Sequence, residues 1–201
     1  MRSIFNFIVE PKKERYNNKK QIGDNELILN TEISDHRYIS RNAIVLETPI
    51  AKKTDIKKGD EVIVHHNIFR RWYDVRGKEK NSRSFFEDNK YFIDLDQIFL
   101  YKRKDKWKAP KGFCFVKPLA SDDNLNTDKE KPCVGIIKYA DAALEKNGIK
   151  AGTLVGFTPT SNYEFIIDDE RFYRVHTESI TIKYEYQGNE VEYNPSWLQS
   201  G

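Results

Sequence analysis

The chain carries nearly the same phrase twice. IKKGDEVIV runs from Ile56 to Val64 and IKAGTLVGF from Ile149 to Phe157. Each follows a short apolar run, AIVL from Ala43 and GIIKYA from Gly135. Each precedes a polar, hairpin-like excursion and then an alternating strand. A repeat with a period near half of 201 residues means two copies of one small domain.

Spacings test the repeat. The two phrases lie 93 residues apart and the apolar runs before them 92. The opening strands FIVEP and CFVKP, aligned at Val9 and Val116, lie 107 apart, and the closing segments, aligned at Tyr91 and Tyr173, lie 82 apart. The first copy therefore carries 15 extra residues after its opening strand and 11 extra before its closing one. Loops absorb such insertions at small entropic cost.

Short β-rich runs and turn signals dominate. Phe5 to Val9, Ala43 to Leu46, Val62 to Val64 and YFIDLDQIFLYK read as strands of the first copy. Phe113 to Val116, Val134 to Tyr139, Leu154 to Phe157 and SITIKYE read as those of the second. Residues 11–26 are polar and aperiodic, which predicts a mobile loop. One short helix is expected around Ala140 to Asn147, stopped by Gly148. The class is all-β: two small barrels spanning residues 1–103 and 112–201, joined by a short basic linker at 104–111, with YQGNEVEYNPSWLQSG as a tail.

Composition sets bounds on function. Apolar residues at 38% suffice for two small cores, and no run approaches the ~20 apolar residues of a membrane span. The apolar stretch in MRSIFNFIVEPKK is too short for a signal peptide and reads as a strand. Two cysteines, Cys114 and Cys133, make no disulfide framework, and reduced thiols in a cytoplasm are expected, a host's if the chain is viral. The net charge of +3 divides into +8 over residues 1–111 and −5 over the rest. That split fits an acidic partner for the first half, attraction between copies, or drift on solvated surfaces.

Three constellations bear on chemistry. Arg70, Arg71, Trp72 and Arg83, with Tyr73 and Phe85-Phe86, interleave cations with rings, as single-strand nucleic-acid binders do. Asp74, Glu79, Glu87 and Asp88 dilute that charge. His65 and His66 are adjacent, so on a strand they face opposite ways, and no His/Cys spacing matches a zinc site. Asp168-Asp169-Glu170 sits between two strands as a turn. No nucleophile–base arrangement or phosphate-cradling glycine loop stands out, so neither enzymatic activity, metal nor cofactor is expected.

The order of elements in the second copy resembles the GroES family of co-chaperonins. Its parts are a strand ending in VKPL, a GII-type strand, the turn GIKAGTLVGF, a tyrosine-bearing hairpin, IDDERFYRV and SITIKYE. The first copy is similar at IKKGDEVIV, Tyr73, Tyr91–Ile93 and Asp96–Leu100. Tandem chains of this size occur in that family, notably in chloroplasts. The resemblance implies small β-barrels, self-association into a ring, and a lid for a chaperonin ring that itself binds the nucleotide. It also implies docking through an apolar tripeptide in a loop between the first two strands.

Leu27-Ile28-Leu29 occupies that place in the first copy, with Ile22-Gly23-Asp24-Asn25 as a flexible approach. An alternative reading makes Leu27–Ile33 an extra strand covering the barrel. In the second copy, the loop ASDDNLNTDKEKPC offers only Leu125 and no tripeptide. ETPIAKKTD and YADAALEKN leave little room for the family's roof hairpin. A non-enzymatic interaction module on the same fold is the competing expectation.

Overall fold

The computed structural model describes residues 2–17, 19–23, 25–28, 35, 38–121, 129–159, 162–168 and 170–194. It divides into two units, Met1–Trp107 and Lys108–Gly201. The strands of the first are β1 (Phe7–Pro11), β2 (Lys19–Ile22), β3 (Asn25–Ile28), β4 (Asn42–Glu47), β5 (Glu61–Val64), β6 (Arg71–Tyr73), β7 (Glu79–Asn81), β8 (Tyr91–Ile93) and β9 (Ile98–Arg103), followed by β10 (Lys106–Lys108). Six of them form one sheet in the order β10-β9-β5-β4-β1-β8, while β2–β3 and β6–β7 are separate hairpins. Alternation sends Phe7 and Val9, Ala43 and Val45, Val62 and Val64, and Tyr91 and Ile93 into one core with Ile56, Ile68 and Phe69. Each aliphatic side chain buried there contributes ~1.5–3 kcal/mol.

The second unit holds β11 (Phe113–Ala120), β12 (Glu130–Tyr139), α1 (Ala142–Lys146), β13 (Leu154–Phe157), β14 (Asn162–Ile167), β15 (Glu170–His176) and β16 (Ile180–Lys183). Its sheet order is β14-β15-β11-β12-β13-β16. The helix starts where Asp141, buried, accepts the Leu144 amide at 2.9 Å, and the same carboxylate accepts the Gly112 amide at 2.9 Å. Cys114, Val116, Ile137, Val155, Phe157 and Val175 form the core under it with Leu144.

The two units repeat one another in register. β9-β5-β4-β1-β8 and β16-β13-β12-β11-β15 trace the same path. Val9 pairs with Tyr91 on one side and Val45 on the other; Val116 pairs with Tyr173 and Ile137. Bulges fall at Ile8/Val9 and Phe115/Val116, and again at Ile63/Val64 and Gly156/Phe157. The turns before β5 and β13 agree as well. Gly59 donates to the Val45 carbonyl and Gly152 to that of Ile137, both at 2.8 Å, with φ of +85° and +86°. These pairings reproduce the spacings of 107, 92, 93 and 82 residues in the sequence.

Several expectations need correction. Neither sheet closes into a barrel: β10 and β8 end one, and β14 and β16 end the other. At the ends of the path, β10 covers the outer edge of β9 and β14 extends β15 outward. Much of the basic segment 104–111, within which the two units divide, is therefore a hairpin arm. Lys104 and Asp105, both at positive φ, turn the chain back so that Lys106–Lys108 joins β9. The tail also packs. The Ala120 amide donates to Val191 at 2.7 Å, the Tyr193 amide to Pro118 at 2.9 Å, and the Tyr186 hydroxyl to Gly152 at 2.5 Å.

Candidate functional site

Residues 11–26, predicted as a mobile loop, enter a β-hairpin, β2–β3, that runs on to Ile28 with its own register. Lys19 pairs with Ile28, Lys20 with Leu27, Gln21 with Glu26 and Ile22 with Asn25. Gly23, at φ +60°, supplies the left-handed backbone the two-residue turn requires. Ile22 and Gly23 therefore stand at the tip of a hairpin. Opposed residues share a face and neighbours alternate, so Ile22 and Leu27 lie on one face and Ile28 on the other. Their exposures are 56%, 50% and 56%. Leu27 and Ile28 end an added strand, β3, at half exposure, and the rest of the Leu27–Ile33 alternative falls outside the described residues. Asp24, Leu29 and residues 30–33 lie outside the described residues, as does Leu125 of the second copy's loop.

Beneath the hairpin is a clasp that the sequence reading missed. Tyr16 bridges Ile39, the Asn17 amide donates to Tyr38 at 2.7 Å, and the Ser40 amide donates to Arg15 at 2.9 Å. Tyr16 is buried, and its hydroxyl accepts the Arg71 amide at 2.8 Å while the Arg71 guanidinium lies 4.7 Å over its ring. Arg15 donates to the Phe69 carbonyl at 3.0 Å and to Asn81 Oδ1 at 2.9 Å, and lies 5.3 Å over the ring of Tyr91. Burial, with Arg71 nearby, lowers the Arg15 pKa from its ordinary value, and burial raises that of Tyr91. The available signal was a lone Arg-Tyr pair within a Lys/Asn-rich run.

The basic–aromatic constellation is divided by this geometry. Arg71 holds Glu79 at 3.0 Å and stacks on Tyr16, which commits it to the fold. Trp72, 45% exposed, pairs with Lys80 on the opposite face of β6–β7. Arg70 and Arg83 are exposed, and Phe86 packs against Phe92 with centroids 4.7 Å apart. Two of the three arginines therefore remain free to meet a phosphate.

His65 and His66 do not face opposite ways, because β5 ends at Val64. His65 caps a 3-10 turn through Nδ1, which accepts the Asn67 amide at 3.1 Å, and the two rings lie 4.3 Å apart. Among the described residues, no group of three or more His, Cys, Asp or Glu side chains is placed to hold a metal ion. Cys114 and Cys133 are free thiols, and burial pushes the Cys114 pKa up to about 12, which makes it a poor nucleophile. No helix among the described residues is long and apolar enough to cross a membrane.

The second unit contains a buried ionic network that sequence reasoning also missed. Arg171 Nε donates to Glu164 Oε2 at 2.9 Å, Nη1 to Glu130 Oε2 at 2.8 Å, and Nη2 to the Tyr173 hydroxyl at 2.5 Å. Tyr173 in turn donates to Glu130 Oε1 at 2.6 Å. Burial and this bond to Glu130 raise the Tyr173 pKa well above its ordinary value. The Arg171 amide donates to Asn194 at 2.9 Å, which brings the tail into the network. Each guanidinium nitrogen of Arg171 and the Tyr173 hydroxyl is engaged within the fold, which gives the cluster a structural role. Asp168, at positive φ, belongs to the β14–β15 turn, with Ile167 opposite Glu170, and Asp169 lies outside the described residues.

No protein-family model matches this sequence, and no curated protein matches it.

Proposed function

We propose that this chain is a non-enzymatic, co-chaperonin-like protein that binds a chaperonin ring through the β2–β3 hairpin of its first copy. One observation carries the reading. Ile22, Leu27 and Ile28 are each half exposed on a hairpin inserted between the first two strands of the sheet, where the GroES-like pattern places the docking loop. Seating such side chains in an apolar groove contributes up to ~1.5–3 kcal/mol each. One hairpin binds weakly; several on a self-associated ring bind tightly through effective concentration. The ring, not this chain, would bind and hydrolyse the nucleotide, and a cytoplasm is where the two would meet. The duplicated all-β sheets are compatible with divergent GroES-like domains.

Gel filtration with light scattering, alone and with a chaperonin ring plus ADP, tests this. Co-elution at high mass supports it. A chain that ignores the ring overturns it and leaves a non-enzymatic interaction module on the same fold. Single-strand nucleic-acid binding is the weaker reading, because Arg71 is committed to Tyr16 and Glu79. It requires a salt-sensitive affinity that falls when Arg70 and Arg83 become alanine.

A further inference from the structure

A two-stranded hairpin on its own is marginal in water. β2–β3 nevertheless keeps four consecutive residue pairs although Ile22, Leu27 and Ile28 are half exposed. Its base supplies stabilisation. There the Tyr16–Ile39 bridge and the Asn17 and Ser40 amides join the two ends of the excursion. Tyr16 then fixes that base to β6 through the Arg71 amide and the stacked guanidinium, and Arg15 fixes it to Phe69 and Asn81. The clasp also shortens the loop that must be closed, from the span between β1 and β4 to the span between Tyr16 and Ile39.

We infer that the Tyr16 hydroxyl is a positioning group that keeps the β2–β3 hairpin folded in the free chain, so that its apolar side chains meet a partner preorganised. Preorganisation reduces the ordering that binding would otherwise require. The partner's identity rests on the co-chaperonin reading above; the clasp does not. Tyr16→Phe keeps the buried ring and removes the hydroxyl that accepts the Arg71 amide. Gly23→Val is the complementary change, because it strains the exposed turn at positive φ and touches neither clasp nor core.

The test is hydrogen exchange on the full free chain, comparing wild type, Tyr16→Phe and Gly23→Val. In wild type the β2 and β3 amides should be protected. In both variants they should exchange roughly fivefold to tenfold faster, with β1, β4 and β5 unchanged as the internal control. Unprotected β2–β3 amides in wild type, or protection unaltered in Tyr16→Phe, would overturn the inference. If Tyr16→Phe also loosens β1 and β4, Gly23→Val together with the wild-type protection decides whether the hairpin is preformed. The same samples are then titrated with a chaperonin ring plus ADP. A ring that ignores a protected wild-type hairpin sinks the co-chaperonin reading and leaves the clasp standing. Tighter binding by Tyr16→Phe would mean that the clasp opposes docking, and would overturn its positioning role.

Discussion

Arg103 grips both carboxylate oxygens of Asp60, Nε to Oδ1 at 3.1 Å and Nη2 to Oδ2 at 2.5 Å. The buried Asp60 also accepts the Lys57 amide at 2.8 Å, so one side chain closes the turn before β5 and ties it to the end of β9. The side-chain hydrogen bond to Asp60 holds the Arg103 pKa above its ordinary value. At the equivalent place in the second unit, Thr153 Oγ1 accepts the Lys150 amide at 3.0 Å and carries no charge. One turn geometry is thus closed by an ion pair in the first copy and by a hydroxyl in the second.

Asp60→Ala should lower the stability of the first unit by about 2–4 kcal/mol, because it removes the carboxylate from a partly buried guanidinium, which keeps only the Asp55 carbonyl, and the acceptor from a turn amide. Thr153→Ala should cost about 1 kcal/mol. Urea unfolding of the two variants measures the difference. Equal costs would mean that the ion pair contributes nothing beyond its local hydrogen bond.

Gly135 faces a tighter constraint than its counterpart Ala43. A Cβ at Gly135 would lie 2.3 Å from the Lys117 carbonyl and 2.5 Å from Val116 Cγ1. Since the first atom is backbone, the β11–β12 pair would have to move apart. Gly135→Ala should destabilise the second unit by roughly 1–3 kcal/mol, whereas Ala43→Gly should cost only about 1 kcal/mol. Thermal melts of the two variants decide; a neutral Gly135→Ala would show that β11 yields at no cost.

Lys117 gives the second unit a pH dependence. It bridges Glu170 at 2.9 Å and Glu192 at 2.6 Å, while Lys138 approaches Glu170 at 3.7 Å. The hydrogen bond from Lys117 holds the Glu170 pKa below its ordinary 4.5. Stability from this carboxylate is therefore complete above the ordinary value and lost as pH falls through the lowered one. Burial opposes the charge on Lys117, but the bonds to Glu192 and Glu170 prevail and raise its pKa above 10.5. That contribution is complete below 10.5 and lost as pH rises beyond it. Lys117→Met should flatten the dependence of Tm on pH over roughly pH 3–5, and an unchanged slope would assign it to other carboxylates.

Sequence periodicity carried the duplication and not the contacts that complete each unit. Strand spacing survives in the register because bulges and pair partners at Val9 and Val116 are fixed by the local alternation of apolar residues. Gly148 likewise marked the end of the short helix. The β2–β3 hairpin was hidden because Lys19, Lys20 and Asn25 carry no alternation, and its support comes from Tyr16 meeting Arg71, 55 residues away. Long-range polar contacts of this kind leave no local period. The same holds for Lys106–Lys108, whose composition resembles a linker although a two-residue turn at Lys104-Asp105 makes it a strand. Arg71 was a candidate for phosphate contact as a cation interleaved with rings; stacking on Tyr16 gives it another role.

The alternation in β3 leads to the last prediction. Leu27 and Ile28 are adjacent in sequence but sit on opposite faces, whereas Ile22 and Leu27 share one. A groove that grips one face of the hairpin should therefore distinguish these side chains. The double variant Ile22→Ser, Leu27→Ser should weaken chaperonin binding by more than about tenfold, since it removes two buried aliphatic contacts together. Ile28→Ser should weaken it less. Neither change should alter stability by more than about 0.5 kcal/mol, because all three side chains are half exposed in the free chain. Titration of each variant against the ring, with parallel thermal melts, gives both readouts. Equal losses from the two faces would mean that the hairpin opens on docking, and a large drop in Tm would mean that these side chains pack on the sheet.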